Sequence, residues 1–145
     1  MITSNLRLVR KGVDKIGADI NKSTRMARDE MMAALIQLSK EQIQGARPYI
    51  VGPRGGRHYQ KATPNQPPMN RTGDLRRSIR GEKFNVGFAN YTAIVGPTII
   101  YGRRVELGGG NWPAGLRFPY MEPAYQKFRT VIVPQVQSKF FRRYR

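Results

Sequence analysis

Apolar residues recur at three- and four-residue spacing through the opening of the chain. Val13, Ile16, Ile20, Ala27, Met31, Ala34, Leu35 and Leu38 fall on one stripe, the periodicity of an amphipathic helix. The pattern predicts one long helix from about Lys11 to Gln44, stopped by Gly45 with Pro48 beyond it. The stretch Gly17 to Thr24, rich in Gly, Asn, Ser and Thr, is where such a helix would break. Unbroken, it spans about 50 Å at ~1.5 Å per residue. A globule of 145 residues has a radius of gyration of only about 15 Å. A helix of that length overhangs its own domain, and its stripe then needs a neighbouring chain.

The pattern changes at residue 45. Prolines 48, 53, 64, 67 and 68 and glycines 45, 52, 55 and 56 punctuate a stretch with few apolar residues, which predicts an extended arm over 45–70. Within it, Tyr49-Ile50-Val51 and His58-Tyr59 suit a short hairpin. Next, Thr72 or Asp74 is placed to cap a short helical turn carrying Leu75 and Ile79 on one face. Phe84, Val86 and Phe88 alternate, as do the residues from Tyr91 to Gly96, predicting two strands joined by a tight turn at Ala89-Asn90. Pro97 ends the second strand. Tyr101 to Leu107 predicts a helical turn closed by Gly108-Gly109-Gly110. The final helix begins near Pro123, carries Ala124, Phe128, Val131 and Ile132, and must kink or restart at Pro134. The fold class is α+β: a long N-terminal helix, a small antiparallel sheet, a C-terminal helix kinked near Pro134, and an extended Pro/Gly arm. One domain is expected over 1–145, with no internal repeat.

Charge changes this picture more than composition does. The chain has 26 Lys and Arg against 9 Asp and Glu, a formal +17. Residues 1–45 contribute +3, and residues 46–90 and 91–145 contribute +7 each. The excess therefore belongs to the arm and the body rather than to the long helix or a basic tail. Such a field favours a polyanion or an acidic protein surface as partner. The candidate contacts are Arg54 and Arg57 in the arm, then Arg76, Arg77, Arg103, Arg104, Arg142, Arg143 and Arg145. Aromatic residues are interleaved with them, as in non-specific nucleic-acid contact. The chain has no zinc-finger spacing, aromatic RNA-binding signature or basic zipper, so DNA contact and protein contact both stay open.

Chemistry is scarce. With no cysteine there is no disulfide framework, thiolate zinc site or cysteine nucleophile. The single histidine, His58, lies in the arm without a carboxylate near it, whereas a general base needs an orienting partner. Gly52-Pro53-Arg54-Gly55-Gly56-Arg57 lacks the Gly-Lys-Ser/Thr ending of a phosphate loop. Acidic residues along the first helix pair with bases, Lys15 with Asp19 and Arg25 with Asp29. Glu106 is expected to bridge to Arg103 or to a neighbour's arginine. No catalytic residue, cofactor or metal is expected. Met1 to Leu6 has no signal layout, and no apolar run approaches the roughly 20 residues of a membrane span. The expectation is a soluble product of the cytoplasm with no membrane partner.

Four segments occur in a telling order: Arg71-Thr72-Gly73-Asp74-Leu75-Arg76-Arg77-Ser78-Ile79, Ala93-Ile94-Val95-Gly96-Pro97, Tyr101-Gly102-Arg103-Arg104-Val105-Glu106-Leu107-Gly108, and Phe118-Pro119-Tyr120-Met121-Glu122-Pro123-Ala124. Together they resemble the tail-completion, or head–tail joining, family of long-tailed bacteriophages, over about residues 70–133. Gly102 stands where the family tends to have alanine, and the arm and the triple glycine before Trp112 have no counterpart. The resemblance implies a structural virion protein of the neck, made in the host bacterial cytoplasm, that completes the tail and joins it to the head connector. It implies a homo-oligomeric ring, sixfold to match a tail tube or else twelvefold. The implied partners are connector or stopper, tail tube and terminator proteins, with genomic DNA passing through. The alternative from another class is a stand-alone, sequence-nonspecific nucleic-acid-binding protein.

Overall fold

The computed structural model describes residues 2–46, 49–51, 57–59, 64–70, 72–88, 90–109 and 116–142; for 2–8, 44–46, 49–51, 57–59 and 69–70 it describes the backbone alone. Helix α1 runs unbroken over Ile2–Gln42, a length of about 60 Å. It starts earlier than the periodicity predicts. It also stops short of Gly45, because Ile43 turns into the core and Gln44 begins a strand. The weak helix formers between 17 and 24 do not break it, because they serve as contact points. A Cβ on Gly17 would lie 3.5 Å from the Phe88 ring, the Asn21 side-chain oxygen accepts a bond from the Tyr91 hydroxyl at 2.8 Å, and the Thr24 hydroxyl bonds back to the Ile20 carbonyl at 2.8 Å.

The arm is anchored at both ends. Strands β1 (Gln44–Ala46) and β4 (Met69–Asn70) pair in parallel, and Ile43 and Pro68 beside them are buried. Between them, β2 (Tyr49–Val51) and β3 (Arg57–Tyr59) form the expected antiparallel hairpin, with Tyr49 opposite Tyr59 and Ile50 opposite His58. A turn at Asn65, in the left-handed region at φ 61°, docks on the chain near 117 through Asn65 N–H to the Arg117 carbonyl at 2.8 Å.

Helix α2 (Asp74–Ser78) leads directly into β5 (Ile79–Asn85), which pairs antiparallel with β6 (Tyr91–Pro97) from Ile79↔Pro97 to Asn85↔Tyr91. Neither Thr72 nor Asp74 caps α2. Gly73 occupies that position in the left-handed conformation at φ 81°, which only glycine adopts freely. Leu75 and Ile79 are both buried, as their spacing predicts. The first strand ends sooner than the Phe84-Val86-Phe88 alternation implies. Gly87, at φ 118°, turns the chain, and Val86 N–H donates to the Asn90 carbonyl at 2.9 Å, so Val86 and Phe88 belong to the turn. Ala89 lies outside the described residues.

One face of the hairpin lies on α1. Gly81 lets the backbone approach, since a Cβ there would fall 2.6 Å from the Met32 sulfur. Lys83 pairs with Asp29 at 3.2 Å, and Arg28 reaches Asn85 at 3.0 Å. Arg25 donates to the Tyr91 hydroxyl at 2.9 Å, and the Arg25 and Arg28 guanidinium groups each lie 5.2 Å from the centre of the Tyr91 ring. Asp29 therefore pairs with Arg28 and Lys83 rather than with Arg25, because the hairpin brings better partners than the helix's own face. The opposite face, with Arg80, Glu82, Phe84, Thr92 and Ile94, is exposed.

Helix α3 spans Ile100–Leu107 and α4 spans Met121–Lys127. Phe128–Ile132 forms a single wide turn in which Val133 N–H bonds to the Phe128 carbonyl, and α5 follows over Val133–Arg142. Pro134 has no N–H and its ring clashes with a carbonyl four residues back. The wide turn relieves both conflicts, so the helix restarts instead of ending. Ile43, Leu75, Ile79, Val105 and Tyr120 form the core cluster, with Leu38, Ala124 and Val136 buried where α1 meets α4 and α5. Among the described residues no helix is long and apolar enough to cross a membrane.

Candidate assembly surfaces

The end of β6, helix α3 and the start of α4 meet in one joint. Pro97, at the end of β6, packs on Gly102 in the first turn of α3; a Cβ on Gly102 would stand 2.5 Å from the Pro97 Cβ. The fully buried Tyr120 donates its hydroxyl to the Gly102 carbonyl at 3.2 Å. Burial, then the nearby Glu106 charge, push that hydroxyl well above the ordinary tyrosine range, so it stays neutral and remains a donor. Glu106 accepts three backbone N–H bonds at the start of α4, from Tyr120 at 2.7 Å, Met121 at 2.9 Å and Glu122 at 2.9 Å. Among the described residues no arginine partners Glu106, contrary to the bridge expected from the sequence. The carboxylate instead satisfies the orphan donors of a helix N-terminus, where the helix dipole also favours negative charge.

Gly108 closes α3 at φ 74° and ψ −164°, a conformation essentially confined to glycine, and its N–H bonds to the Arg104 carbonyl at 2.8 Å. Phe118 N–H then returns to the Val105 carbonyl at 2.8 Å, so the chain after the loop is stitched to α3. Gly110 and Trp112 lie outside the described residues.

The joint yields a prediction. Gly102→Ala gains about 1 kcal/mol of helix propensity, but the methyl meets a proline ring that cannot swing aside, an overpacking cost of about 1–3 kcal/mol. A net loss is expected, a melting temperature lower by roughly 2–6 °C in a thermal scan. A rise would mean that Pro97 yields freely.

The arginine candidates do not converge on one site. Arg103 and Arg104 share the exposed face of α3 with Ile100, Tyr101 and Leu107. Arg76 is exposed on α2, while Arg77 is engaged with Asp74 at 2.5 Å and with the Thr72 carbonyl at 3.2 Å. Hydrogen bonds from Thr72 and then Arg77 hold the Asp74 carboxyl below the usual carboxylate range. Arg142 is exposed at the end of α5. Arg57 lies on β3 opposite Val51, with its side chain outside the described atoms, and Arg54, Arg143 and Arg145 lie outside the described residues. Three arginines absent from the sequence-based candidates carry structure. Arg25 and Arg28 clamp the hairpin through Tyr91 and Asn85, and Arg117 ties to Asn65 at 3.3 Å and to Glu122 at 4.0 Å.

The apolar surface is more concentrated than the charge. Upstream of the hairpin tip, the described side chains of α1 from residue 9 to residue 16, a stretch of ~12 Å, are all exposed. Val9, Val13 and Ile16 are 64%, 62% and 59% exposed on one side of it, with Phe88 of the hairpin tip nearby at 71%. No family model matches the chain, and comparison with curated proteins and with solved structures finds no match.

Proposed function

We propose that this chain is a structural subunit of the bacteriophage neck, which completes the tail and joins it to the head connector as a closed homo-oligomeric ring. The observation that carries the reading is the exposed stretch of α1 over residues 9–16, where Val9, Val13 and Ile16 form an aliphatic stripe open to water. A helix of that kind gains nothing alone, because water-exposed Val and Ile contribute no burial. The order of the four motifs, three of which meet in one joint, adds the family resemblance to this physical argument.

The subunit acts by assembly rather than catalysis. The ring is sixfold in this reading, to match a tail tube, with twelvefold as the other closed arrangement. The α3 face with Arg103 and Arg104 meets acidic surfaces of neighbouring neck proteins, or the DNA that passes through. Negative-stain electron microscopy of the purified full chain tests the reading: rings with a central opening are expected. Monomers that bind duplex DNA tightly at physiological salt, with affinity falling log-linearly as salt rises, would favour the stand-alone nucleic-acid-binding protein instead.

The arm has its own prediction. Tyr49 and Tyr59 are directly paired across the hairpin, about 5 Å apart, so residues 50–58 are replaceable by Gly-Gly without straining the anchors. The melting temperature is expected to stay within roughly 3 °C, while ring formation is lost because the arm clamps a neighbour. Loss of cooperative unfolding would place the arm in the core.

A further inference from the structure

We infer that the outward face of α3 docks on an acidic protein surface with an apolar centre, supplied by a different chain. The inference rests on the reading of this chain as an assembly subunit, and it chooses between the two partners left open there for this face. Gly102 and Val105 are buried and turn one side of α3 to the core. On the opposite side stand Ile100, 98% exposed, and Leu107, 62% exposed, seven residues apart and so nearly in line along the helix. Arg103 and Arg104, both exposed, lie about 100° apart around the helix and straddle that line. Glu106, the one acidic residue of α3, is committed to the amides of Tyr120, Met121 and Glu122. The face is therefore an aliphatic ridge between two cations, and among the described residues no carboxylate pairs with either. Beside it a hollow of about 260 Å³, lined by Pro97, Ile99, Arg103, Leu107 and Met121, has room for an apolar side chain.

Charge and ridge together select the occupant. Two cations beside an aliphatic ridge are complementary to carboxylates set around an apolar patch. A second copy does not carry that surface. Asp29, Glu30, Asp74 and Glu122 are ion-paired within the subunit, and Glu106 is held at α4. Asp14 and Asp19 each lie one turn from two basic residues of α1, Arg10 with Lys11 and Lys15 with Lys22. Glu82 shares the outer hairpin face with Arg80, and Glu41 accepts from Gln37 near the end of α1. At +17 a subunit also repels its copies. Duplex DNA has the charge without the centre. Its phosphates would meet the arginines while Ile100 and Leu107 faced sugar, phosphate and polar base edges. An acidic protein surface satisfies both the cations and the ridge.

The probe is a fluorescein-labelled peptide of about 20 residues, long enough to hold a helix, with a leucine ridge flanked by glutamates. It is titrated with the full chain and followed by fluorescence anisotropy. Ile100→Ser/Leu107→Ser and Arg103→Glu/Arg104→Glu are each expected to weaken binding by ~10-fold or more. Lys127→Glu/Arg129→Glu makes the same change in net charge away from α3 and is expected to weaken it by less than ~3-fold. All six positions are exposed, so the fold is retained. An equal loss from Lys127→Glu/Arg129→Glu would show attraction by net charge alone and overturn the inference. Tighter binding of a DNA duplex, lost in Arg103→Glu/Arg104→Glu but kept in Ile100→Ser/Leu107→Ser, would assign the face to DNA and overturn it too. Rings lost in Ile100→Ser/Leu107→Ser would make the face a self-contact, which overturns the inference and leaves the ring reading standing. Peptide binding as expected in a parent chain that forms no rings would overturn the ring reading alone.

Discussion

Glu106→Ala is expected to lower stability by about 3 kcal/mol, a fall of roughly 6–12 °C in melting temperature. The magnitude follows from what the carboxylate holds. Its two oxygens accept from three successive backbone N–H groups at the start of α4, and those of Tyr120 and Met121 are partly buried. Alanine leaves donors without an acceptor in a place water reaches poorly, and an unsatisfied buried donor costs about 1–3 kcal/mol. The third donor, on Glu122, is exposed and adds little. Glu106→Gln keeps the shape but turns an NH2 group toward N–H donors, so it should recover at most about half of the loss. Glu106→Asp falls short by one methylene and should behave almost like alanine. Thermal and denaturant unfolding of the three variants checks the order. An alanine variant within about 1 kcal/mol of the parent would mean that water replaces the carboxylate, and the joint would lose its central element.

The second large effect concerns assembly and leaves the fold intact. Val13→Glu/Ile16→Glu is expected to abolish ring formation with a melting temperature within roughly 2 °C of the parent monomer. Both positions are well over half exposed, so the subunit loses almost no burial of its own. In the assembled state each glutamate would sit unpaired in an apolar contact, where an isolated charge is strongly disfavoured. Net charge falls by two, which by itself eases repulsion and should favour association. Lys11→Glu makes the same change in net charge on the other side of the helix and is expected to assemble normally. Equal loss in both variants would show that charge, not the stripe, governs assembly.

How much of this was legible follows from where each signal resides. The α1 stripe is a local periodicity, and the 49–51 and 57–59 pairing and the Gly108 stop are local too, so all were readable. Gly17, Asn21 and Thr24 resemble helix breakers because their use is to receive Phe88 and Tyr91 from far along the chain. The end of the first strand was misplaced because the apolar alternation continues through Val86 and Phe88 while Gly87 turns the backbone. Asp29 and Glu106 were given the wrong partners for the same reason. Their real ones, Lys83 and the amides of 120–122, arrive only with the tertiary fold. The arginine clusters were visible as composition, but proximity in sequence placed them on α2, α3 and α5 without making them one site. The surface that the structure does concentrate is aliphatic.

Sedimentation velocity of the full chain, over a range of concentrations and from low to high salt, bears most directly on the claim that this is a ring subunit. A discrete closed oligomer of six or twelve copies is predicted, with a population that grows as salt screens the +17 charge on each subunit. A monomer at every concentration and every salt would contradict it.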